Sequence, residues 1–241
     1  MDLSVVIPTY CESENLEPLV SRLHPAIDRA GIWEEIIVVD DNSPDGTADV
    51  CHKLAQRYPL RLILREKKDC LSSAVVHGIQ QARGEIVVVM DADLSHPPEA
   101  VPELYHAVKS QGADFAIGSR YIPGGLIEKG WSFSRRLGSF LATLPARPLT
   151  SAKDPLAGFF ALRRSTFEAA RDIDPIGYKI GLELMVKCGC RRVLEVPITF
   201  RDRLHGESKM GLGVLWNYFR HLRRLYGYKL RRILKRDRPR D

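Results

Sequence analysis

Apolar positions in the first half of the chain follow two alternating patterns. Short continuous runs rich in valine and isoleucine, such as residues 36–39 and 86–90, are separated by longer segments in which apolar residues recur every three or four positions. The first pattern is typical of parallel strands covered by helices on both faces, and the second is typical of helices. Together they predict strands at residues 3–9, 35–40, 60–65, 85–91 and 114–119 and helices at 16–30, 47–58, 71–82 and 98–111. This order indicates a doubly wound α/β domain.

The regular alternation ends after Arg120, where a Gly-rich and aromatic stretch occupies residues 121–131. The elements predicted beyond it are an amphipathic segment at 134–144, strands at 159–162 and 193–200, a helix near 182–188, a polar loop at 201–213 and a final helix. No internal repeat or low-complexity linker separates these parts. We therefore predict one catalytic domain at residues 1–212 and a basic amphipathic helix or tail at 213–241.

The composition of the 241 residues excludes several classes of protein. With 44% hydrophobic residues the chain can form a core without disulfides or a structural metal. Its five cysteines include no CxxC pair, which favours a reducing cytoplasm. The start lacks a basic segment, and no apolar run approaches the roughly 18 to 20 residues that cross a bilayer, so we expect neither a signal peptide nor a membrane-spanning helix.

The net charge of +6 is not spread evenly along the chain. Residues 217–241 carry ten of the 36 lysines and arginines and a net charge of +8, which leaves about −2 for the remainder. A basic end of this kind suits an anionic surface, either phospholipid or nucleic acid. An apolar stripe accompanies the charge: Val214, Leu215, Tyr218, Phe219, Leu222, Leu225, Tyr226, Leu230, Ile233 and Leu234. The stripe up to about Leu225 can pack on the domain, and residues 226–240 are interpreted as a helix lying on a membrane surface.

Carboxylates follow the second and fourth predicted strands, at the edge where open parallel sheets bind ligands. Asp40 and Asp41 repel each other and lose hydration unless a polar or cationic group pairs with them, and a nucleoside could do so. Asp91 and Asp93 form a DxD motif, in which alternate carboxylates can flank one hard cation while a diphosphate completes its oxygen shell. Ser95 could add a further ligand, directly or through water. The neighbouring His96 is interpreted as a residue at the surface or behind the site, without a catalytic role.

Several cations lie at predicted strand ends or in loops near this edge. They are Arg120, the pair at 135–136 and three basic residues in the loop 201–209. Cations beside a metal site indicate two anionic ligands, one on each side of the bond being transferred. The sequence contains no GxGxxG after the first strand and no GxxxxGK[ST], HExxH or GxSxG motif, which counts against dehydrogenases, P-loop ATPases and two classes of hydrolase.

Five motifs resemble those of family 2 inverting glycosyltransferases with the GT-A fold, a Rossmann-like α/β fold. They are VIPTYCE at 6–12, VDDNSPDGT at 39–47, MDADLSHP at 90–97, GSRY at 118–121 and RxxGESK at 203–209. The similarity extends from about residue 3 to residue 225. Within the family, the chain is similar to the dolichol-phosphate or polyprenol-phosphate mannose synthases, and residues 154–160 and 177–179 match bacterial members.

The resemblance implies a role for each matching residue. The guanosine part of GDP-mannose would be bound by Pro8, Tyr10, Glu12, Val39 and Asp41. Asp91, Ala92 and Asp93 would meet the diphosphate and a Mg²⁺ or Mn²⁺ ion, with Ser95 where the family often has a glutamine ligand. Phosphates would be contacted by Arg120, Arg203 and Lys209, and the acceptor phosphate by Arg120, Arg135 and Ser139. The residues implied as catalytic are Asp91, Asp93, Arg120 and Arg203.

Four features depart from the family pattern. Cys11 stands where the family usually has Asn, Cys70 where a Gly usually precedes Leu71, and Ser95 is shorter than the usual Gln. Many archaeal and bacterial relatives also continue into membrane-spanning helices after the last motif, and we expect no such helix in residues 210–241.

The resemblance implies transfer of mannose from GDP-mannose to dolichyl or polyprenyl phosphate, which gives a β-linked product. The alternative is the same fold transferring glucose or another hexose from a UDP-sugar. The enzyme would be peripheral on the cytoplasmic face of a membrane, through the basic helix and with a small membrane-anchoring subunit as a further partner. Nucleic-acid binding is disfavoured because the domain is net acidic and its aromatic residues are scattered. An inactive binding module is disfavoured by the intact Asp91, Asp93 and Arg203.

Overall fold

A computed structural model describes residues 1–66, 69–128, 133–170, 172–201 and 212–236. The strands are β1 (Leu3–Thr9), β2 (Glu34–Asp40), β3 (Leu60–Leu64), β4 (Ile86–Val89), β5 (Phe115–Ser119), β6 (Leu126–Ile127), β7 (Phe160–Arg163), β8 (Val193–Pro197) and β9 (Thr199–Phe200). The α-helices are α1 (Ser13–Arg29), α2 (Thr47–Leu54), α3 (Leu71–Gln81), α4 (Val101–Lys109), α5 (Phe133–Thr143), α6 (Arg164–Glu168), α7 (Ile180–Lys187) and α8 (Leu212–Arg236). The predicted α/β class is confirmed.

Seven strands form one mixed sheet in the order β3-β2-β1-β4-β7-β5-β8. All neighbouring pairs are parallel except those that involve β7, which runs antiparallel to both β4 and β5. The carboxyl ends of β1, β2, β4 and β5 therefore meet at one edge of the sheet, together with the amino end of β7. The chain passes outward from β1 to β3 and then crosses to β4, which makes the β1–β4 boundary the switch point where such sheets bind ligands.

Helices cover both faces of the sheet, which explains the continuous apolar runs. Along β1, Val5 and Ile7 pack in the core cluster that contains Leu16, while Val6 packs in the opposite cluster. Successive strand residues point to opposite faces, so a strand covered on both sides must be apolar at every position.

Several element boundaries differ from the prediction. The expected strand 193–200 is divided at Ile198 into β8 and β9, and β9 pairs with β6 in a separate two-stranded sheet. Helix α2 ends at Leu54, and residues 55–58 form turns before Pro59. The predicted helix 98–111 begins as a 3₁₀ turn at Pro98–Ala100 before α4.

Helix α8 lies against the domain over much of its length. Tyr218, Leu222 and Leu225 are buried in the same cluster as Val6. The Tyr226 hydroxyl donates to the carbonyl of Pro145 at 2.6 Å, and the Lys229 ammonium donates to that of Pro148 at 2.6 Å. The contact thus extends slightly beyond the predicted limit at Leu225. No helix in the described part of the chain is long and apolar enough to cross a membrane.

Candidate active site

Three loops at the carboxyl edge contain non-glycine residues with left-handed backbone. Cys11 follows β1 with φ 61°, Asn42 follows β2 with φ 54°, and Leu94 follows β4 with φ 60°. This conformation is unfavourable for most side chains and is concentrated at functional sites, where the surrounding structure maintains it. It also explains why Asn is usual at position 11 in the family, since Asn tolerates it. Cys70 has φ −80° and ψ 153°, which any residue can adopt, so no glycine is required there.

Asp40 is held inside the protein rather than presented to a ligand. Its carboxylate accepts hydrogen bonds from the Thr9 hydroxyl at 2.9 Å, the Ser43 main-chain N–H at 2.8 Å and the Ser43 hydroxyl at 2.6 Å. Ser43 in turn accepts a bond from the Cys11 N–H at 2.8 Å, which joins the loops after β1 and β2. The expectation that the Asp40–Asp41 pair needs an external partner is therefore wrong for Asp40.

Asp41, which is predicted to bind the donor, is likewise buried and paired within the protein. Its Oδ1 lies 2.9 Å from Nε of Arg65, and its Oδ2 accepts a bond from the Asp69 N–H at 3.3 Å. Burial raises the pKa of Asp41, although the Asp69 N–H and Arg65 oppose that shift. Of the other residues predicted to bind guanosine, Tyr10 and Glu12 are half-buried in the loop after β1. Pro8 and Val39 are buried strand residues, and the Val39 side chain belongs to the core.

The DxD segment leaves β4 with its two carboxylates in different surroundings. Asp93 is buried, and its Oδ1 accepts bonds from the Ser95 N–H at 3.1 Å and the Ser95 hydroxyl at 2.6 Å. The Asp91 side chain is 33% exposed, and Ala92 between them is buried. Ser95 is itself buried and orients Asp93. Its predicted role as a metal ligand stays a prediction.

His96 lies behind Asp91 and not at the surface. The ring is buried, stacks on Phe159 with ring centres 5.2 Å apart and meets the edge of Phe200 at 5.4 Å. The Asp91 main-chain N–H donates to Nδ1 at 3.3 Å, which assigns the ring proton to Nε2. Burial lowers the pKa of His96, although Asp91 and Asp93 oppose the shift. A neutral imidazole therefore supports the segment that carries the DxD motif.

Arg120 forms the strongest ion pair of the site, with Asp154. Its Nε and Nη2 donate to the two Asp154 carboxylate oxygens at 2.8 Å each, and its main-chain N–H donates at 3.1 Å. The Asp154 side chain is fully buried and that of Arg120 is 11% exposed. Burial opposes the charge on Arg120, but the bond to Asp154 prevails and raises the pKa of the guanidinium. The Asp154 N–H is fixed by Glu195 of β8 at 3.0 Å.

The segment that contains Asp154 runs beneath Asp91 and ends at β7. A Cβ atom added to Gly158 would lie 3.3 Å from Oδ2 of Asp91, so the glycine leaves space beside that carboxylate. The Lys179 ammonium, at the start of α7, donates to the carbonyl of Leu156 in the same segment at 2.8 Å. Burial lowers the pKa of Lys179 to about 8, with a further contribution from Arg120.

Tyr121 connects Arg120 to one predicted acceptor residue, Ser139 of helix α5. The Tyr121 hydroxyl donates to the Ser139 hydroxyl at 2.9 Å, and the Arg120 guanidinium lies 5.2 Å from the centre of the Tyr121 ring. Arg135 is exposed on the same helix. Arg203 and Lys209 lie outside the described residues.

The sequence predicts no role for Asp154, Glu195 or Lys179. The carboxylates that it singles out follow the carboxyl ends of strands, whereas Asp154 precedes a strand. The DPLAG segment before an apolar run is the sequence feature that could indicate Asp154, but only if β7 is known to be antiparallel. Nothing in the local sequence of β7 marks that direction.

Comparison with solved structures first defines the class of fold. The chain superposes on glucosyl-3-phosphoglycerate synthase from Mycobacterium tuberculosis in complex with Mn²⁺, UDP and phosphoglyceric acid, with a TM-score of 0.69, 22% identity and 95% and 78% of the two chains covered. Mannosyl-3-phosphoglycerate synthase from Rubrobacter xylanophilus gives a TM-score of 0.66 at 20% identity, with 100% and 77% covered. The fold is therefore GT-A-like, as predicted.

Sequence comparison then gives the family. The model of glycosyl transferase family 2 matches residues 4–170. Proteins named dolichol-phosphate mannosyltransferase are similar over most of the chain. The one from Pyrococcus furiosus is 46% identical over 98% of this chain and 67% of its own length, and that from Saccharomyces cerevisiae is 42% identical over 95% and 88%. The chain belongs to glycosyl transferase family 2 and is a glycosyltransferase.

Proposed function

We propose that the protein is an inverting mannosyltransferase that moves mannose from GDP-mannose to the phosphate of a dolichol or other polyprenol. The observation that carries the proposal is the 46% identity to a dolichol-phosphate mannosyltransferase across 98% of the chain. The described site supports it, because carboxylates suited to a metal and a sugar diphosphate lie at the same sheet edge as Arg120 and the helix that carries Ser139.

The reaction needs little help from a base. A phosphate monoester has a second pKa of about 6, so the acceptor oxygen is largely anionic near neutral pH. That oxygen attacks C1 of the mannosyl group in line, the bond from C1 to the GDP oxygen breaks, and the configuration at C1 inverts. The main task of the protein is to hold two anions together in that orientation. Arg120, Arg135 and Ser139 would bind the acceptor phosphate, and Arg203 and Lys209 would bind phosphates from the loop at 201–209.

The two DxD carboxylates fit a divalent metal, Mg²⁺ or Mn²⁺. Both ions prefer oxygen ligands and are commonly held by one or two carboxylates together with substrate phosphates. Among the residues that the structure describes, no group of three or more His, Cys, Asp or Glu side chains could hold a metal. Asp91 and Asp93 would share the ion with the donor diphosphate, with Ser95 orienting Asp93. When bound, such a cation neutralises charge on the leaving diphosphate.

Helix α8 supports a peripheral association with the cytoplasmic face of a membrane. Toward the end of α8, Leu230, Ile233 and Leu234 are at least half exposed, beside the exposed Arg231 and Arg232. Apolar side chains on one helix together with arginines suit an anionic lipid surface, at about 1 kcal/mol per charge near the surface. We retain residues 213–241 as the membrane-associating segment, and a small anchoring subunit as a further partner.

A donor and acceptor panel tests the proposed activity. Radiolabelled GDP-mannose and UDP-glucose are offered with short polyprenyl phosphates, with and without Mg²⁺ or Mn²⁺. We expect metal-dependent transfer of mannose, abolished by Asp93→Ala and retained by the exposed control Asp174→Ala. Transfer from UDP-glucose alone would establish the alternative hexosyltransferase. Full metal-dependent transfer by Asp93→Ala would contradict the role given to the DxD motif.

Vesicle flotation tests the membrane association. A chain truncated after Tyr226 should lose binding to anionic vesicles. A triple variant, Leu230→Gln, Ile233→Gln and Leu234→Gln, should lose most of it while keeping the charge and the buried contacts of α8. Unchanged flotation of both variants would remove α8 as the membrane contact.

A further inference from the structure

Lys179 differs from the other partly buried lysine near α7, Lys187, in having no acidic partner among the residues that the structure describes. The Lys187 ammonium pairs with Glu183 at 2.7 Å. The Lys179 ammonium instead donates to the carbonyl of Leu156 at 2.8 Å and lies 4.6 Å from the centre of the Tyr178 ring. Within the described part of the chain, no carboxylate lies within ion-pair distance of it. A desolvated cation without a counterion is unfavourable, and an anionic ligand would relieve that cost.

The contact of Lys179 with the Leu156 carbonyl places it beside the active site. The carbonyl that it contacts belongs to the same segment as Asp154, which anchors Arg120, and as Gly158, which borders Asp91. Lys179 is therefore associated with the Arg120 side of the site, whereas the donor diphosphate is assigned to Asp91 and Asp93.

We infer that Lys179 binds the phosphate of the acceptor, together with Arg120. This inference rests on the proposed function, because it assumes a phosphorylated acceptor. The Arg120–Asp154 pair supports the inference. Asp154 compensates the charge of Arg120 in the protein without substrate, so Lys179, as a second cation without such compensation, would supply much of the attraction for an incoming anion. The ammonium can exchange its bond with the Leu156 carbonyl for one with a phosphate oxygen, or keep both, because it carries three N–H donors.

The protonation state of Lys179 is compatible with binding an anion at neutral pH. With a pKa of about 8, Lys179 is mainly charged at pH 7 and loses its proton as the pH rises through 8. The acceptor phosphate, with a second pKa of about 6, stays a dianion over the same range. Arg120 stays charged, because its bond to Asp154 raises the pKa of the guanidinium. The half-buried Tyr178 is a second titratable group beside the ammonium, and burial raises the pKa of its hydroxyl.

Kinetics with farnesyl phosphate as acceptor test the inference on the full chain. Lys179→Met should raise KM for farnesyl phosphate by roughly 10- to 100-fold, the effect of losing one hydrogen bond to a charged group. KM for GDP-mannose should change less than about twofold, and Lys179→Arg should recover much of the acceptor affinity. The matched control is Lys153→Met, since Lys153 is exposed and lies in the turn before Asp154. It should behave as the unmodified protein.

Two further measurements separate binding from a merely structural role. Equilibrium binding of farnesyl phosphate should weaken in Lys179→Met while binding of farnesol does not change. The acceptor KM of the unmodified protein should rise above pH 8, and that of Lys179→Arg should not. An unchanged acceptor KM in a folded Lys179→Met protein, or a rise confined to GDP-mannose, would overturn the inference. Absence of any transfer by the unmodified protein would instead refute the proposed function, and the binding comparison would still test Lys179.

Discussion

Replacing Asp154 by Asn tests whether the buried ion pair with Arg120 organises the active site. The change keeps the size of the side chain but removes its charge and one of the two oxygens that Arg120 contacts at 2.8 Å. Because Asp154 is fully buried, the guanidinium would be left largely desolvated without a counterion. Removing one partner of a buried pair typically destabilises a protein by about 3–5 kcal/mol.

The control is a second Asp–Arg pair with a different degree of burial. Asp174 contacts Arg224, and their side chains are 61% and 39% exposed. Exposed pairs contribute at most about 1 kcal/mol, so Asp174→Asn should change the unfolding free energy by less than that amount. Urea denaturation at pH 7 compares the two variants directly. If Asp154→Asn costs no more than Asp174→Asn, the ion pair is not the anchor that its geometry indicates.

A double variant separates stability from activity. Arg120→Met combined with Asp154→Leu removes both charges and fills similar volume, and such exchanges are often neutral or stabilising by about 1–4 kcal/mol. We expect the double variant to regain most of the unfolding free energy lost by Asp154→Asn. It should still fail to transfer sugar, because the Arg120 guanidinium is absent. Recovery of transfer together with stability would refute the assignment of Arg120 to the phosphates.

Three further predictions follow from the hydrogen bonds and backbone of the site and core. Burial opposes the ionisation of Glu35, but hydrogen bonds from Ser4 and two arginines lower its pKa in the folded protein. The ionised side chain therefore stabilises the fold fully above the ordinary glutamate pKa of about 4.3, and this stabilisation is lost as the pH falls through the lower pKa of the folded protein. The stability difference between Glu35→Gln and the unmodified protein should therefore shrink in acid denaturation below that pH. Cys11→Asn should leave thermal stability unchanged or raise it by up to ~1 kcal/mol, because Asn tolerates the left-handed backbone better; a clear loss would contradict this. Ser95→Ala removes a 2.6 Å hydrogen bond to Asp93, a loss of about 1 kcal/mol. In a titration of the metal-stripped enzyme, the variant should therefore need several-fold more Mg²⁺ or Mn²⁺ for half-maximal transfer.

The candidate residues whose positions the sequence predicts well are those that follow parallel strands. Asp41, Asp91, Asp93 and Arg120 follow strands whose apolar runs are unmistakable, and parallel strands bring their carboxyl ends to one edge. Asp154 and Lys179 escaped prediction because they depend on a single antiparallel strand, β7, whose direction is set by tertiary packing. Local sequence contains no signal for that direction.

Adjacent residues in the sequence can have different roles when their side chains point in different directions. The sequence predicts that Asp40 and Asp41 form a pair in need of a ligand, yet successive residues at a strand end point in different directions. Asp40 turns toward Thr9 and Ser43 and stabilises the loops, while Asp41 turns toward Arg65. The role of His96 is likewise not set by its position beside the DxD motif, which is compatible with either an exposed or a buried ring. Only the tertiary contacts with Phe159 and Phe200 show that the ring is buried.

The basic end of the chain acquires a structural meaning from the contacts of α8. Its Tyr218, Tyr226 and Lys229 side chains donate to the carbonyls of residues 142, 145 and 148, at the end of α5 and in the turn that follows. Helix α5 carries Ser139, which Tyr121 connects to Arg120. A shift of α8 relative to the domain would therefore break three hydrogen bonds that fix the end of α5 and the turn that follows it. If α8 rests on a membrane as proposed, the helix that contacts the lipid surface and the helix that meets the acceptor phosphate are held as one unit, so the +8 charge of the tail would set the position of the acceptor site relative to the bilayer.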